Sequence, residues 1–133
     1  MMGIIFFFFI LFLLYGFFSE NDWITPHTAP EYISCFNEGR AYLVANKYLK
    51  AIHCFNTCIK LQPFYAPAYY YKGLSLYHLG DVDGAIDNIK KALDLNPVSW
   101  IYLEKLGLIY KGIGRFELGE RYLVQSMILK GKK

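Results

Sequence analysis

The chain has 133 residues, of which 55% are hydrophobic and 19% aromatic, and its formal net charge is +3. This length gives room for one small domain plus an extra segment. The three cysteines, an odd number, exclude a disulfide framework.

The first predicted element is an apolar helix over residues 1–18. The stretch from Gly3 to Phe18 has no charged residue, and thirteen of residues 1–18 are Ile, Leu or Phe. A helix over 1–18 would be about 27 Å long, close to the hydrocarbon core of about 30 Å. These side chains favour insertion by about 4–8 kcal/mol. The segment is therefore predicted to be a single-pass transmembrane anchor, which makes the membrane a predicted partner.

Two other interpretations of residues 1–18 stay open. The segment could be a secretory signal that is cleaved, although its start has no Lys or Arg and its best cleavage site, Leu14-Tyr15-Gly16, is poor. It could also be a hydrophobic arm that is buried in a protein complex.

Residues 19–31 are predicted to be a linker, because Pro26 and Pro30 oppose helix formation. Residues 19–39 contain no Lys or Arg, which favours a topology with the rest of the chain on the non-cytoplasmic side. The high usage of Phe, Tyr, Ile and Lys is typical of an AT-rich genome such as that of an organelle, and this suggests a mitochondrial or other organellar membrane.

Residues 32–133 repeat with a period of 34 residues. Six helices are predicted there, near 32–44, 48–61, 66–78, 82–95, 100–112 and 116–129. The positions that recur in this period are Gly39, Gly73 and Gly107; Tyr42 and Tyr110; Ala51 and Ala85; Phe55, Ile89 and Leu123; and Pro63 and Pro97. A fixed period in this range marks a solenoid of helical hairpins.

This pattern resembles the tetratricopeptide repeat, whose signature has Gly and Tyr in the first helix, Ala and Phe in the second, and a final Pro. The resemblance implies an all-α fold, a right-handed α-solenoid of three helix–turn–helix repeats over 32–65, 66–99 and 100–133. The signature Trp is missing from every repeat, and Gly119 replaces the Ala in the third, which is expected to weaken that repeat. The recurring glycines are expected where two helices approach closely, and the final helix is expected to leave Tyr122, Val124 and Leu129 without a neighbour.

No catalytic or cofactor-binding pattern accompanies the repeats, and the chain is predicted not to be an enzyme and to bind no cofactor and no metal. Paired carboxylates, nucleophile–histidine arrangements and glycine-rich phosphate loops are missing from the sequence. Cys35, Cys54 and Cys58 are interpreted as buried thiols, with a disulfide from Cys35 or a metal site as alternatives.

The resemblance implies a partner-binding groove along the first helices of the repeats. The residues predicted to line it are Phe36, Arg40, Tyr70, Tyr71, Leu74, Tyr77, Lys105 and Leu108. In relatives that clasp the acidic tails of heat-shock chaperones, Lys, Asn and Arg form a carboxylate clamp. The matching positions here are Phe36, Arg40, Tyr71, Ile101 and Lys105, so only two basic side chains fit and this activity is not expected.

The function predicted from the sequence is a membrane-anchored scaffold for other proteins, a small accessory subunit or assembly factor of a membrane complex. The alternative is a secreted or lumenal adaptor whose signal peptide has been removed. RNA binding is a further alternative, because residues 32–133 carry 14 basic and 8 acidic side chains, a balance of +6. Their scattered arrangement argues against nucleic acid as a partner.

Overall fold

The computed structural model of the protein describes residues 29–132, together with residues 3, 4, 6, 7 and 10. Residues 29–132 form only helices and short connections. The helices are α1 (Glu31–Val44), α2 (Tyr48–Leu61), α3 (Ala66–His78), α4 (Val82–Leu95), α5 (Trp100–Gly112) and α6 (Phe116–Gly131). The six predicted helices are thus confirmed, and their bounds differ from the prediction by at most two residues.

Prolines and short polar residues set the ends of the helices. Helices α2 and α4 end two residues before Pro63 and Pro97, which cannot continue a helix. Helix α4 begins at an N-cap whose Asp81 carboxylate accepts a hydrogen bond from the Gly84 N–H at 2.9 Å. Helix α5 begins similarly, with the Ser99 hydroxyl accepting from the Tyr102 N–H at 3.4 Å.

The turn inside each hairpin contains one residue in the left-handed backbone region. Its φ is 60° at Asn46, 88° at Gly80 and 82° at Gly114. These residue types adopt positive φ at little cost. Each turn reverses the chain, so that consecutive helices run antiparallel.

The helices of each hairpin meet at the repeated glycines. A Cβ atom on Gly39 would lie 2.7 Å from a ring carbon of Phe55, and one on Gly73 would lie 2.7 Å from Ile89 Cγ1. Any side chain at these positions would push the helices apart, so the predicted placement of the glycines at the helix contacts is confirmed.

Gly119 gives the third repeat an even closer contact. A Cβ atom there would lie 2.8 Å from the backbone oxygen of Gly107 and 2.5 Å from Lys111 Cγ. The expectation that Gly in place of Ala weakens this repeat is therefore corrected, because α5 and α6 approach so closely that a methyl group would not fit.

Two hydrophobic clusters form the core, one at each junction between repeats. The first joins the first and second repeats and is centred on Phe36, Phe55 and Cys58. The second joins the second and third repeats and is centred on Ile89 and Leu106. Because each cluster draws side chains from both repeats, the three hairpins stack into one solenoid.

The last helix differs from the prediction at one residue. The ring of Tyr122 stacks on that of Tyr110 at a centroid distance of 5.5 Å and an interplanar angle of 8°. Tyr122 therefore has a neighbour, contrary to the sequence prediction. Val124 is exposed on the outer face of α6, together with Met127 and Ile128.

The predicted anchor falls mostly outside the described residues. Residues 3, 4, 6, 7 and 10 are helical, and the apolar side chains among them are exposed. Within the part of the chain that the structure describes, no helix combines the length and the apolar character needed to cross a bilayer.

Candidate functional site

An unbroken row of aromatic rings crosses the face formed by the first helices of the three repeats. We call this surface the α1–α3–α5 face. Phe36 of α1 contacts Tyr71 of α3 edge to face, with centroids 5.5 Å apart. Tyr71 contacts Tyr70 at 5.2 Å, and Tyr70 stacks on Tyr102 of α5 at 4.7 Å. The row therefore connects all three repeats through ring contacts.

The connection before α3 extends this row at its N-terminal end. The ring of Tyr65 lies 5.1 Å from that of Phe36 and 5.2 Å from that of Tyr32, both in edge-to-face geometry. Edge-to-face pairs add to the stability that burial gives, because the positive edge of one ring meets the negative face of the other. The row is thus a rigid floor rather than a set of independent side chains.

Arg40 lies over this floor. Its guanidinium carbon is 5.4 Å from the centroid of Tyr71 and 5.8 Å from that of Phe36. The side chain is exposed, while its planar head is oriented by two rings. Arg40 can therefore donate hydrogen bonds to an incoming carboxylate from a position that is fixed in advance.

The structure divides the predicted groove residues into a floor and an accessible surface. Phe36 and Tyr70 are 7% and 8% exposed, so both belong to the core and offer a partner almost no surface. The groove prediction is corrected for these two residues, because each is covered by rings of the neighbouring repeat. Tyr71 is partly buried and packs against both core clusters.

The accessible part of the face consists of side chains that stand above the floor. Tyr77 is 42% and Leu108 51% exposed, and Ile101 is 44% exposed at the start of α5. Leu74 and Lys105 are half-buried. The exposed surface is therefore mainly apolar, with Arg40 and Lys105 as its basic groups.

Burial holds the pKa of three floor tyrosines, Tyr70, Tyr102 and Tyr65, above the ordinary range of a tyrosine. It raises the pKa of Tyr70 to about 12, with a further contribution from neighbouring Tyr71. Burial also raises the pKa of Tyr102 and of Tyr65. The buried rings of Tyr70, Tyr102 and Tyr65 thus carry no charge at physiological pH, so the charges of the face come from its Arg, Lys and Glu side chains, Glu104 among them.

Sequence reasoning missed several members of the aromatic row. Tyr32, Tyr65 and Tyr102 do not occupy signature positions of the repeat, and Tyr65 lies in a connection rather than a helix. One signal could have pointed to Tyr65. This residue immediately precedes the second repeat, in the connection that passes over the first helix of the preceding hairpin.

The cysteines of the described chain form no disulfide. All three are free thiols, with Cys54 and Cys58 buried. Burial, and then the nearby Cys35, raises the pKa of Cys58 to about 11, and burial also raises the pKa of Cys54. Within residues 29–132 and the five described N-terminal residues, no three His, Cys, Asp or Glu side chains converge in a metal-binding arrangement.

A family model matches part of the repeat region. Residues 36–99 match the family model described as tetratricopeptide repeat. A protein named "Protein STIP1 homolog" from Dictyostelium discoideum is 34% identical over 87 residues, which are 64% of this chain and 15% of the relative. "Heat shock protein STI1" from Saccharomyces cerevisiae is 29% identical over 82 residues, 62% of this chain and 14% of the relative. The chain thus spans only a small part of the curated relatives that it matches.

Solved structures share the fold. The crystal structure of MamA superimposes with a TM-score of 0.73 at 26% identity and covers 76% of this chain and 59% of that one. The first tetratricopeptide-repeat domain of Spaghetti (RPAP3), bound to the HSP90 peptide SRMEEVD, gives a TM-score of 0.73 at 16% identity. That match covers 81% of this chain and 86% of the other.

Proposed function

We propose that this chain, a tetratricopeptide-repeat protein, is a non-catalytic adaptor that holds a segment of another protein on its α1–α3–α5 face. The observation that carries the proposal is the row of rings from Phe36 to Tyr102, with exposed apolar side chains and Arg40 above it. Tyr and Arg are among the residue types most enriched at the centres of protein interfaces.

The chemistry of the face indicates the kind of segment. Tyr77, Ile101 and Leu108 offer apolar contacts, which favour a segment with Leu-, Ile- or Phe-type side chains. Arg40 and Lys105 favour at least one carboxylate in the same segment. Within residues 29–132, an ion pair joins Lys111 and Glu120 at 3.0 Å. Arg40 and Lys105 form no ion pair in that part of the chain.

The RPAP3 domain gives an example of an occupant that this fold can take, because an HSP90 peptide is bound to it. Its identity of 16% supports the fold and not the specificity. Here the aromatic residues Phe36 and Tyr71 stand where a carboxylate clamp would have polar groups. We therefore propose a more apolar segment than the acidic tail SRMEEVD.

Site-specific photocrosslinking of the full chain tests the groove. A photoreactive phenylalanine analogue at Tyr77 or Leu108 should crosslink to one defined segment of a partner, which mass spectrometry identifies. Leu49, on α2 and 73% exposed, provides the matched control position. A peptide of the identified sequence should bind the purified chain, and Arg40→Glu together with Leu108→Ala should abolish binding while the circular dichroism spectrum stays unchanged.

Equal crosslinking from Leu49 and Leu108 would contradict the groove, as would unchanged peptide affinity in a folded double variant. Tyr71→Ala is unsuitable for this test, because Tyr71 packs against both core clusters and its loss would disrupt the floor itself.

We further propose that the N-terminal segment attaches the adaptor to a membrane, as an accessory subunit or assembly factor of a membrane complex. The support is the uncharged stretch from Gly3 to Phe18 and the exposed apolar side chains of Ile4, Phe6 and Phe7. We place the repeats on the non-cytoplasmic side of an organellar membrane.

Native mass spectrometry from mild detergent tests the attachment. A full-length chain within a larger assembly is the expected result. A chain that lacks about sixteen N-terminal residues and runs alone would favour the secreted adaptor instead.

A further inference from the structure

One edge of the solenoid gathers the connections between repeats and the start of the array. Because the helices alternate in direction, the beginnings of α1, α3 and α5 lie beside the ends of α2, α4 and α6. The rings of Tyr32 and Tyr65 are in contact at this edge, and Lys130 Nζ lies 4.5 Å from the ring centroid of Trp100. We call this surface the entry edge, since the chain enters the repeats here at Pro30.

Two large apolar side chains project from equivalent connections at the entry edge. Phe64 is 78% and Val98 71% exposed. They are 34 residues apart, and each directly follows the proline that closes its repeat, Pro63 or Pro97. Neither contributes to a core cluster. Their exposure is therefore a property of the edge rather than a consequence of one irregular loop.

Basic side chains flank these apolar residues. Lys60 lies in the last turn of α2, and Lys130 and Lys132 lie at the end of α6, all with exposed side chains. None of the three forms an ion pair within residues 29–132. The acidic residues of the edge, Glu31 and Asp94, are also exposed and do not neutralise them. Exposed apolar side chains beside lysines are the combination that binds an anionic bilayer surface.

We infer that the entry edge lies on the surface of an anionic bilayer, with Phe64 and Val98 inserted among the headgroups and the lysines near lipid phosphates. This inference rests on the proposed membrane attachment. Residues 19–30 join the apolar stretch to this edge and span at most about 43 Å when fully extended. Because the tether joins the repeats at Pro30, the entry edge is the surface of the solenoid that lies nearest to the apolar stretch along the chain.

The opposite edge provides the internal comparison. It also exposes apolar side chains, including Leu49 and Phe116. These residues lie one helix length away from the entry edge, about 20 Å for the 14 residues of α2. A bilayer that lies across the entry edge, perpendicular to the helix axes, would leave Phe116 about 20 Å from its surface.

The test places a tryptophan on each edge of the full chain. Phe64→Trp and Phe116→Trp are reconstituted into vesicles of phosphatidylcholine with phosphatidylserine, with and without brominated acyl chains. The parent chain, which contains Trp23 and Trp100, supplies the background emission. Brominated lipid should quench the added emission of Phe64→Trp and leave that of Phe116→Trp unchanged. Lys60→Glu combined with Lys132→Glu should reduce the quenching, and vesicles of phosphatidylcholine alone should reduce it similarly.

The outcomes separate this inference from the proposal on which it rests. If the full chain does not float with the vesicles, the membrane attachment itself is wrong, and the inference falls with it. If the chain floats but Phe64→Trp is not quenched, the attachment stands and the lipid-facing edge is wrong. Equal quenching of the two variants would also overturn the inference. A blue shift of the Phe64→Trp emission that is caused by a co-purified protein, and not by lipid, would overturn it as well.

Discussion

Gly107 of α5 lies so close to Leu123 of α6 that a Cβ atom on the glycine would stand 2.7 Å from Leu123 Cγ. The same pair recurs in the first repeat as Gly39 with Phe55, where the distance is also 2.7 Å. The residue without a side chain in one helix thus receives a large side chain of the next. This contact sets the distance between the two helices of every hairpin.

Gly107→Ala should therefore destabilise the protein. The added methyl group would meet not only Leu123 but also the backbone oxygen of Gly119 at 2.9 Å, and backbone cannot rotate away. Overpacking of this kind costs about 1–3 kcal/mol. The free energy of unfolding, from urea titration in mild detergent, measures the change.

Gly112→Ala is the matched control for that substitution. Gly112 ends the same helix, and a Cβ atom there would have no neighbour within 4 Å. Its stability should stay equal to that of the parent or rise by up to about 1 kcal/mol through helix propensity. If both variants lost the same stability, the close contact would not be the cause.

Loss of the α4 cap should weaken the second repeat. The Asp81 carboxylate accepts a hydrogen bond from the Gly84 N–H at 2.9 Å, and an N–H in the first turn has no partner within the helix. Asp81→Ala should lower the free energy of unfolding by about 1 kcal/mol. Asp81→Asn retains the accepting oxygen and should keep most of the parent's stability. Equal losses for the two variants would exclude the cap as the explanation.

Alkaline pH should destabilise the aromatic floor through Tyr70. Burial, followed by the proximity of Tyr71, raises the pKa of Tyr70 from about 10 to about 12. Above pH 10 the unfolded chain loses this proton while the folded protein retains it, so stability that is complete below pH 10 is lost progressively towards pH 12.

The measurement is the free energy of unfolding between pH 9 and about 12 for the parent and for Tyr70→Phe. Tyr70→Phe should show the smaller decrease in the free energy of unfolding, because it lacks the hydroxyl proton whose pKa burial raises. Tyr77→Phe removes the hydroxyl of an exposed ring on the same helix and controls for the substitution itself. A Tyr70→Phe profile parallel to that of the parent would refute the assignment.

The three thiols should react in a fixed order. Only the thiolate is nucleophilic, and burial raises the pKa of the fully buried Cys58 to about 11. At pH 8, iodoacetamide should modify the half-exposed Cys35 first and leave Cys58 intact, as shown by mass spectrometry of tryptic peptides. In urea all three should be modified. Modification of Cys58 at the same rate as Cys35 in the folded protein would show that the first core cluster is open.

The repeat architecture could be predicted from the amino-acid sequence alone. A period of 34 residues locates the glycines, the turns and the closing prolines, because each of these residues acts through its own backbone or through one contact within its hairpin. The six helices follow from these local constraints, and their bounds in the structure agree with them.

Which of the predicted groove residues are exposed depends on the tertiary packing. Phe36 and Arg40 are neighbours on one helical face, yet Phe36 is buried and Arg40 is exposed over its ring. The difference arises because Tyr65, from the connection between the repeats, and Tyr71, from the next repeat, close over Phe36. Burial of a residue at a junction depends on the side chains that the neighbouring repeat places against it, and a periodic pattern does not specify that relationship.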